Sequence, residues 1–147
     1  MKSSDLLIRK IKEFEGLSLK AYKPVASERY YTIGYGHYGA DVKANQVITE
    51  KEAESLLRKD LEKFEDYVNN LNVCKRYSEF ASLTDFAFNL GSSALGRSTL
   101  LKYIRQGRGE QYIRDEFAKW VNSKGVRLKG LVVRRAWEAD RYFSKES

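Results

Sequence analysis

Glu15 closes an amphipathic pattern and is followed by Gly16, so it stands at the last turn of an expected helix. There its carboxyl faces the negative end of the helix dipole. Packing beside Phe14 and Leu17 would also strip part of its hydration, and both effects favour the protonated form. A carboxylic acid that keeps its proton near neutral pH is what cleavage of a glycosidic bond requires. The plain alternative is a solvated glutamate, one of 20 acidic residues. Seventeen positions on, Thr32 opens the run Thr32-Ile33-Gly34-Tyr35-Gly36-His37. Strand alternation would put Thr32, Gly34 and Gly36 on one face. The glycines would leave the backbone open to a ligand, and a threonine hydroxyl can hold a water as donor and acceptor. A glycine-rich hairpin with a structural threonine would look the same. His37 is the only histidine and Cys74 the only cysteine, with no zinc-like spacing around either. A lone histidine of this kind reads as a hydrogen-bonded structural residue.

These residues need elements to hold them. Residues 4–14 carry Leu6, Leu7, Ile11 and Phe14 near the helical period, behind a cap at Ser3 or Ser4. Residues 17–48 change to tyrosines, glycines and β-branched residues, which read as short antiparallel strands joined by glycine turns. Pro24 falls in a loop or at a strand edge. Thr49 and Glu52 form a capping box, and the stripe Ala53, Leu56, Leu57, Leu61, Phe64 and Val68 predicts a long helix over 49–70. Further helices are expected over 76–91, 97–106, 109–122 and 130–144. The layout is one helix, a small β region and a helical remainder, an α+β class.

Composition sets outer limits. The 147 residues, 42% hydrophobic and 32% charged, suit one soluble globular domain covering 1–147. With one cysteine no internal disulfide can form, which fits synthesis in a reducing compartment. The net charge of +7 draws the chain towards polyanions, whether nucleic acid, anionic lipid or anionic wall polymer. The first fifteen residues mix charges among their apolar residues and contain neither a signal peptide nor a membrane span.

The stretch Phe14-Glu15-Gly16-Leu17, Leu19-Lys20-Ala21-Tyr22 and Tyr31-Thr32-Ile33-Gly34-Tyr35-Gly36-His37 resembles the signature of phage lysozymes, glycoside hydrolase family 24. The likeness runs on in order. It takes in Ile48-Thr49-Glu50 with Ala53, Leu56-Leu57 and Asp60-Leu61, then Phe86-Ala87-Phe88-Asn89-Leu90-Gly91 and Ser98-Thr99-Leu100-Leu101. Phe117-Ala118-Lys119-Trp120, Gly130-Leu131 and Arg134-Arg135 with Glu138 complete it. The resemblance implies a lysozyme-like fold: a small N-terminal β-containing lobe and a larger C-terminal helical lobe, joined by a long helix, with the active-site cleft between the lobes. It implies hydrolysis of the β-1,4 bond between N-acetylmuramic acid and N-acetylglucosamine in bacterial peptidoglycan, with no metal or cofactor. Glu15 would be the general acid and Thr32 would position the attacking water, on an inverting route. The implied life of the protein is cytoplasmic until a holin-type membrane lesion releases it to the wall.

One family feature is missing. The second carboxylate, usually an aspartate and sometimes a cysteine, falls on Pro24 when counted from the glutamate and on Ala26 when counted from the threonine. The intervening loop is two residues longer than usual. Glu28 is the only carboxylate in that loop, and its longer side chain is assigned the aspartate's role of activating or orienting water. The competing reading pairs Glu28 with Arg29 or Lys23 and leaves Ser27 or Thr32 to hold the water. Further substrate-binding candidates each have an ordinary counterpart. Asn89 is an amide that contacts substrate by resemblance, or a locally bonded helix residue. Trp120 is a sugar-stacking ring or a core residue. Tyr35 lines the cleft floor or packs the sheet. Arg134, with Arg135, binds substrate carboxylates or bridges to Glu15, or is an ordinary surface cation. Two other functions compete. One is a lysozyme-like module that only grips the wall, motivated by the missing aspartate. The other is a nucleic-acid binder, motivated by charge; it is disfavoured because basic and acidic residues are interspersed and no zinc or RNP-like motif occurs. The basic, partly apolar segment 126–145 allows a weak contact with an anionic membrane, though a last core helix explains it as well. A monomer is expected.

Overall fold

The computed structural model describes residues 1–145. Helix α1 (Asp5–Glu15) starts where the Ser4 side chain accepts a hydrogen bond from the Leu7 N–H at 3.2 Å, leaving Asp5 in the first turn against the positive end of the dipole. Leu7, Ile8 and Ile11 form its buried face. Leu6, read from the sequence as part of that stripe, is instead 55% exposed. The i, i+1, i+4 spacing of the buried three turns its direction to solvent. Gly16 ends the helix at φ +73°, its N–H bonded to Lys12 O at 3.0 Å. Glu15 is therefore the terminal helical residue, as expected.

Strands β1 (Ser18–Tyr22), β2 (Tyr31–Gly34) and β3 (His37–Gly39) make an antiparallel sheet in sequence order. Tyr22 lies opposite Thr32, and Thr32 opposite Tyr38. Ala21 and Ile33 are buried. The free side of β1 is closed by residues 46–48, through Ala21 N to Gln46 O and Ile48 N to Leu19 O, both 2.9 Å. That leaves no open strand edge there to pair with another chain.

Helix α2 (Glu50–Leu71) has 22 residues, about 33 Å at ~1.5 Å per residue. Its capping box forms in both directions: Thr49 N–H donates to Glu52 Oε1 at 3.0 Å and Glu52 N–H to Thr49 Oγ1 at 3.1 Å. The chain divides into two compact units, Ser3–Glu62 and Met1–Lys2 with Lys63 onward. In the first unit α2 buries Ala53, Leu57 and Leu61, beside Ile11, Ile33 and Ile48.

The second unit is helical: α3 (Tyr77–Leu90), α4 (Ser92–Arg97), α5 (Thr99–Arg105), α6 (Glu110–Ala118) and α7 (Lys129–Tyr142). Its core gathers Phe80, Leu83, Phe86, Leu95, Leu100 and Phe117. Cys74, in the turn before α3, packs against this core half-buried; burial pushes its thiol pKa up to about 11. The short helix α4 sits between Gly91, at φ +99°, and Ser98, which caps α5. The helix read over 109–122 stops at Ala118. Residues Asn122–Ser123 (β4) and Val126–Arg127 (β5) instead form a two-stranded hairpin. Its tip residues Lys124 and Gly125 have φ +50° and +78°, the left-handed pair that a two-residue hairpin turn demands. No described helix is long and apolar enough to cross a membrane.

Candidate functional site

In the N-terminal unit, Glu15 is held by the end of α1, half-buried. A Cβ placed on Gly36 would come within 3.3 Å of Glu15 Oε1, and Gly36 has φ +89°. The glycine in the turn after β2 thus lies close beside the carboxyl, and a side chain there would crowd it. Thr32 lies in β2, only 8% exposed, with Tyr22 and Tyr38 opposite it on the neighbouring strands. Directly opposed residues point to the same side of a sheet, so Thr32 sits between two half-exposed tyrosines rather than on a bare face. The expected continuation of that face to Gly36 does not occur. The strand ends at Gly34, whose missing Cβ would lie 3.4 Å from Ala53 Cβ; that glycine serves close packing against α2. Gly36 is in the turn and faces Glu15.

Glu28 occupies the loop after β1, half-buried, its N–H bonded to Val25 O at 3.0 Å. Neither cation proposed to neutralise it does so. Lys23 Nζ sits 4.9 Å over the Tyr31 ring and the Arg29 guanidinium 5.3 Å over Tyr30, and neither forms an ion pair with Glu28. Tyr35 is 9% exposed and belongs to the core of this unit, with Lys12 Nζ 5.5 Å over its ring. Lys12 itself is bonded to Glu54.

His37 has the hydrogen-bonded setting expected of it. Its Nδ1 lies 2.8 Å from Asp60 Oδ2 and its Nε2 2.8 Å from Asp41 Oδ2. Two carboxylates can both be satisfied only by an imidazolium donating from both nitrogens. Burial pulls its pKa down, but the bonds and charges of Asp60 and Asp41 outweigh this and leave it above the ordinary 6.5. The bond from His37 in turn holds the Asp41 carboxyl low.

In the helical unit, Arg134 and Arg135 are not surface cations: they are 5% and 1% exposed. The Arg134 fork grips Asp85, Nε to Oδ2 at 3.0 Å and Nη2 to Oδ1 at 2.7 Å. Arg135 Nη2 donates to Asn89 Oδ1 at 2.7 Å and to Glu138 Oε2 at 3.0 Å. Asp85 and Glu138 are wholly buried. Burial pushes Glu138 well above the usual carboxylate range, helped by its hydrogen bond to Asp85. Asp85 also feels the burial, yet the bonds from Glu138 and Arg134 hold it low. Glu138 is therefore the carboxyl of the pair that takes the proton. Trp120 lies just past the end of α6, half-buried, its ring edge-on to Phe86 at 5.4 Å. Among the described residues no group of three or more potential ligands is placed to hold a metal ion.

The sequence reading left Asp85 out of this cluster. Its signal was an aspartate inside the apolar run from Phe80 to Leu90, where an acid persists only if paired. The partner lies 49 positions away and nothing local points to it.

Comparison with known proteins converges. The family model for phage lysozyme matches residues 12–138. The endolysin of Bacillus phage B103 is 48% identical over 100% of this chain and 56% of its own length. The chain thus spans about half the length of the curated relatives it matches first. Among solved structures, the endolysin from Escherichia coli O157:H7 phage FAHEc1 is 36% identical, covering 98% of this chain and 94% of that one, at a TM-score of 0.86. The muramidase domain of SpmX from Asticaccaulis excentricus reaches the same TM-score at 29% identity, over 98% of this chain and 99% of that one. A helix ending on Glu15, a three-stranded sheet carrying Thr32, a helical bulk and these matches across the chain together mean that it belongs to the phage lysozyme family.

Proposed function

We propose that the chain is a muramidase that hydrolyses the β-1,4 bond between N-acetylmuramic acid and N-acetylglucosamine in peptidoglycan, in the service of host lysis. The observation that carries this reading is the carboxyl of Glu15 at the end of α1, lying close against the turn glycine Gly36, where an added Cβ would stand 3.3 Å from its Oε1. Membership of the family, and relatives named as endolysins and as a muramidase domain, support the substrate class. Glu15 protonates the leaving oxygen while water attacks the opposite face of the sugar. Thr32 holds that water. Glu28 takes the part of the second carboxylate: it is the loop's only acid and carries no ion pair to Lys23 or Arg29 that would occupy it. Acid, water and second carboxylate suffice for the reaction without a metal or cofactor. Asn89 and Trp120 are the helical unit's candidates for saccharide contact. Arg134, with its fork on Asp85, belongs to its buried framework. The chain acts as a monomer and reaches the wall through a membrane lesion made by another protein.

The test is product analysis on purified peptidoglycan with wild type, Glu15→Gln and Glu28→Gln. Reducing muramic ends from wild type, lost by at least two orders of magnitude in Glu15→Gln, are expected. Glu28→Gln should fall by about two orders with its melting temperature unchanged. Wild-type turnover in Glu28→Gln sinks that assignment. Tight wall binding without release by the wild type would leave a gripping module in place of an enzyme.

A further inference from the structure

The buried guanidinium of Arg135 meets one residue that is not itself sealed in. Its Nη2 donates to Asn89 Oδ1 at 2.7 Å. A guanidinium has donors only, so the Asn89 atom facing it is the carbonyl oxygen, whichever way the amide is drawn. The amide's Nδ2 therefore points the other way. Among the described residues no acceptor takes its protons, and it is not among the buried polar atoms left without a partner, so solvent reaches it. Arg135 itself is held by several neighbours. Glu138 lies at 3.0 Å, the Trp120 carbonyl at 3.5 Å and the Phe86 ring at 5.3 Å. A rigid buried cation thus sets the polarity of one half-exposed amide on α3.

We propose that Arg135 is a positioning residue that locks the Asn89 amide with its NH2 group outward, as a donor for a carbonyl oxygen of the bound glycan. A free asparagine amide flips, presenting donors and an acceptor in turn. This one presents donors alone, and so selects acceptors: the acetamido carbonyl of a sugar, or a carbonyl of a stem peptide. Arg135 never touches the ligand and acts through Asn89. The inference rests on the saccharide-cleaving function proposed above.

Asn89→Asp separates the amide's two roles. The aspartate still accepts from Arg135, and more strongly, but it turns an acceptor outward where the NH2 donors were. Binding is measured by calorimetric titration in a Glu15→Gln background, so that turnover does not interfere. The probes are an N-acetylglucosamine oligosaccharide, its de-N-acetylated form, and glycan strands with and without stem peptides. Asn89→Asp is expected to weaken binding about tenfold, the size of one lost hydrogen bond, without lowering the melting temperature. On peptidoglycan, with Glu15 intact, KM should rise by the same factor while kcat holds. A difference erased by de-N-acetylation assigns the carbonyl to the acetamido group; one erased by removing stem peptides assigns it to the peptide. Arg135→Lys should give an intermediate loss, and the Arg135→Lys, Asn89→Asp double variant should bind no worse than Asn89→Asp alone. Arg135→Met strands Glu138 and can unfold the chain, so the lysine variant is the one measured. Wild-type affinity of Asn89→Asp for every probe overturns the inference, as does a wild type that binds none of them. Binding that responds as expected, in a wild type that releases no reducing ends, refutes the proposed hydrolysis and leaves the amide's role standing.

Discussion

At the scale of single residues, two positions convert geometry into measurable change. Gly36 combines φ +89° with a would-be Cβ 3.3 Å from Glu15 Oε1. Gly36→Ala therefore strains the turn and displaces the Glu15 carboxyl by a few tenths of an ångström. We expect a stability loss of about 1 kcal/mol or more and, if Glu15 is the acid proposed above, a fall in turnover of roughly an order of magnitude, because misplacing a reacting group is expensive. Unchanged kcat in a folded Gly36→Ala protein would remove the reason given for that glycine. His37 tests pH dependence. Its pKa is raised in the folded chain, so the folded state binds the proton more tightly than the unfolded chain does. Its contribution is complete below the ordinary value of 6.5 and is lost as pH climbs through the raised one. His37→Gln should lower the melting temperature by roughly 2–4 °C in mild acid, with the gap to wild type closing in alkali. A gap that widens with pH would contradict the double carboxylate clasp.

At the scale of elements, long periodic segments were legible and short ones were not. The stripe from Ala53 to Val68 defines α2 because apolar residues recur over several turns, and Thr49 with Glu52 marks its start. Thr49→Ala should cost about 1 kcal/mol, readable as a drop in denaturation midpoint with activity retained. The hairpin after α6 gave no such signal. Strands of two residues carry no period, and the Lys124-Gly125 turn reads in sequence as mere punctuation. The short helix α4 falls in the gap between the helices expected over 76–91 and 97–106, for the same reason. The site divides along the same line. The positions of Glu15 at the end of α1 and Thr32 in a strand were legible because a compact motif carries both. The pairing of Arg135 with Asn89 spans 46 positions and exists only once α3 and α7 pack together.

At the scale of the whole molecule, charge is the property that sequence alone determines. A net +7 favours an anionic polymer as partner and gives an attraction that salt screens. If peptidoglycan is the substrate, KM on whole wall should rise several-fold as ionic strength goes from about 0.05 to about 0.5 M. If Glu15 is the acid, kcat should not move, because that residue would act at a contact too close for screening. A KM indifferent to salt would assign the basic surface to some other task.

The half-buried thiol of Cys74 has a practical consequence. A thiol with a pKa near 11 stays protonated at neutral pH, and a protonated sulfur is a poor nucleophile. The chain's sole cysteine is therefore slow to form mixed disulfides or to take up an alkylating dye while its neighbours stay packed around it. Loosening the turn before α3 brings its ordinary reactivity back. The native sequence thus carries its own stopwatch: the rate at which a thiol dye attaches reports how often that corner of the helical unit breathes open, with no label to be engineered.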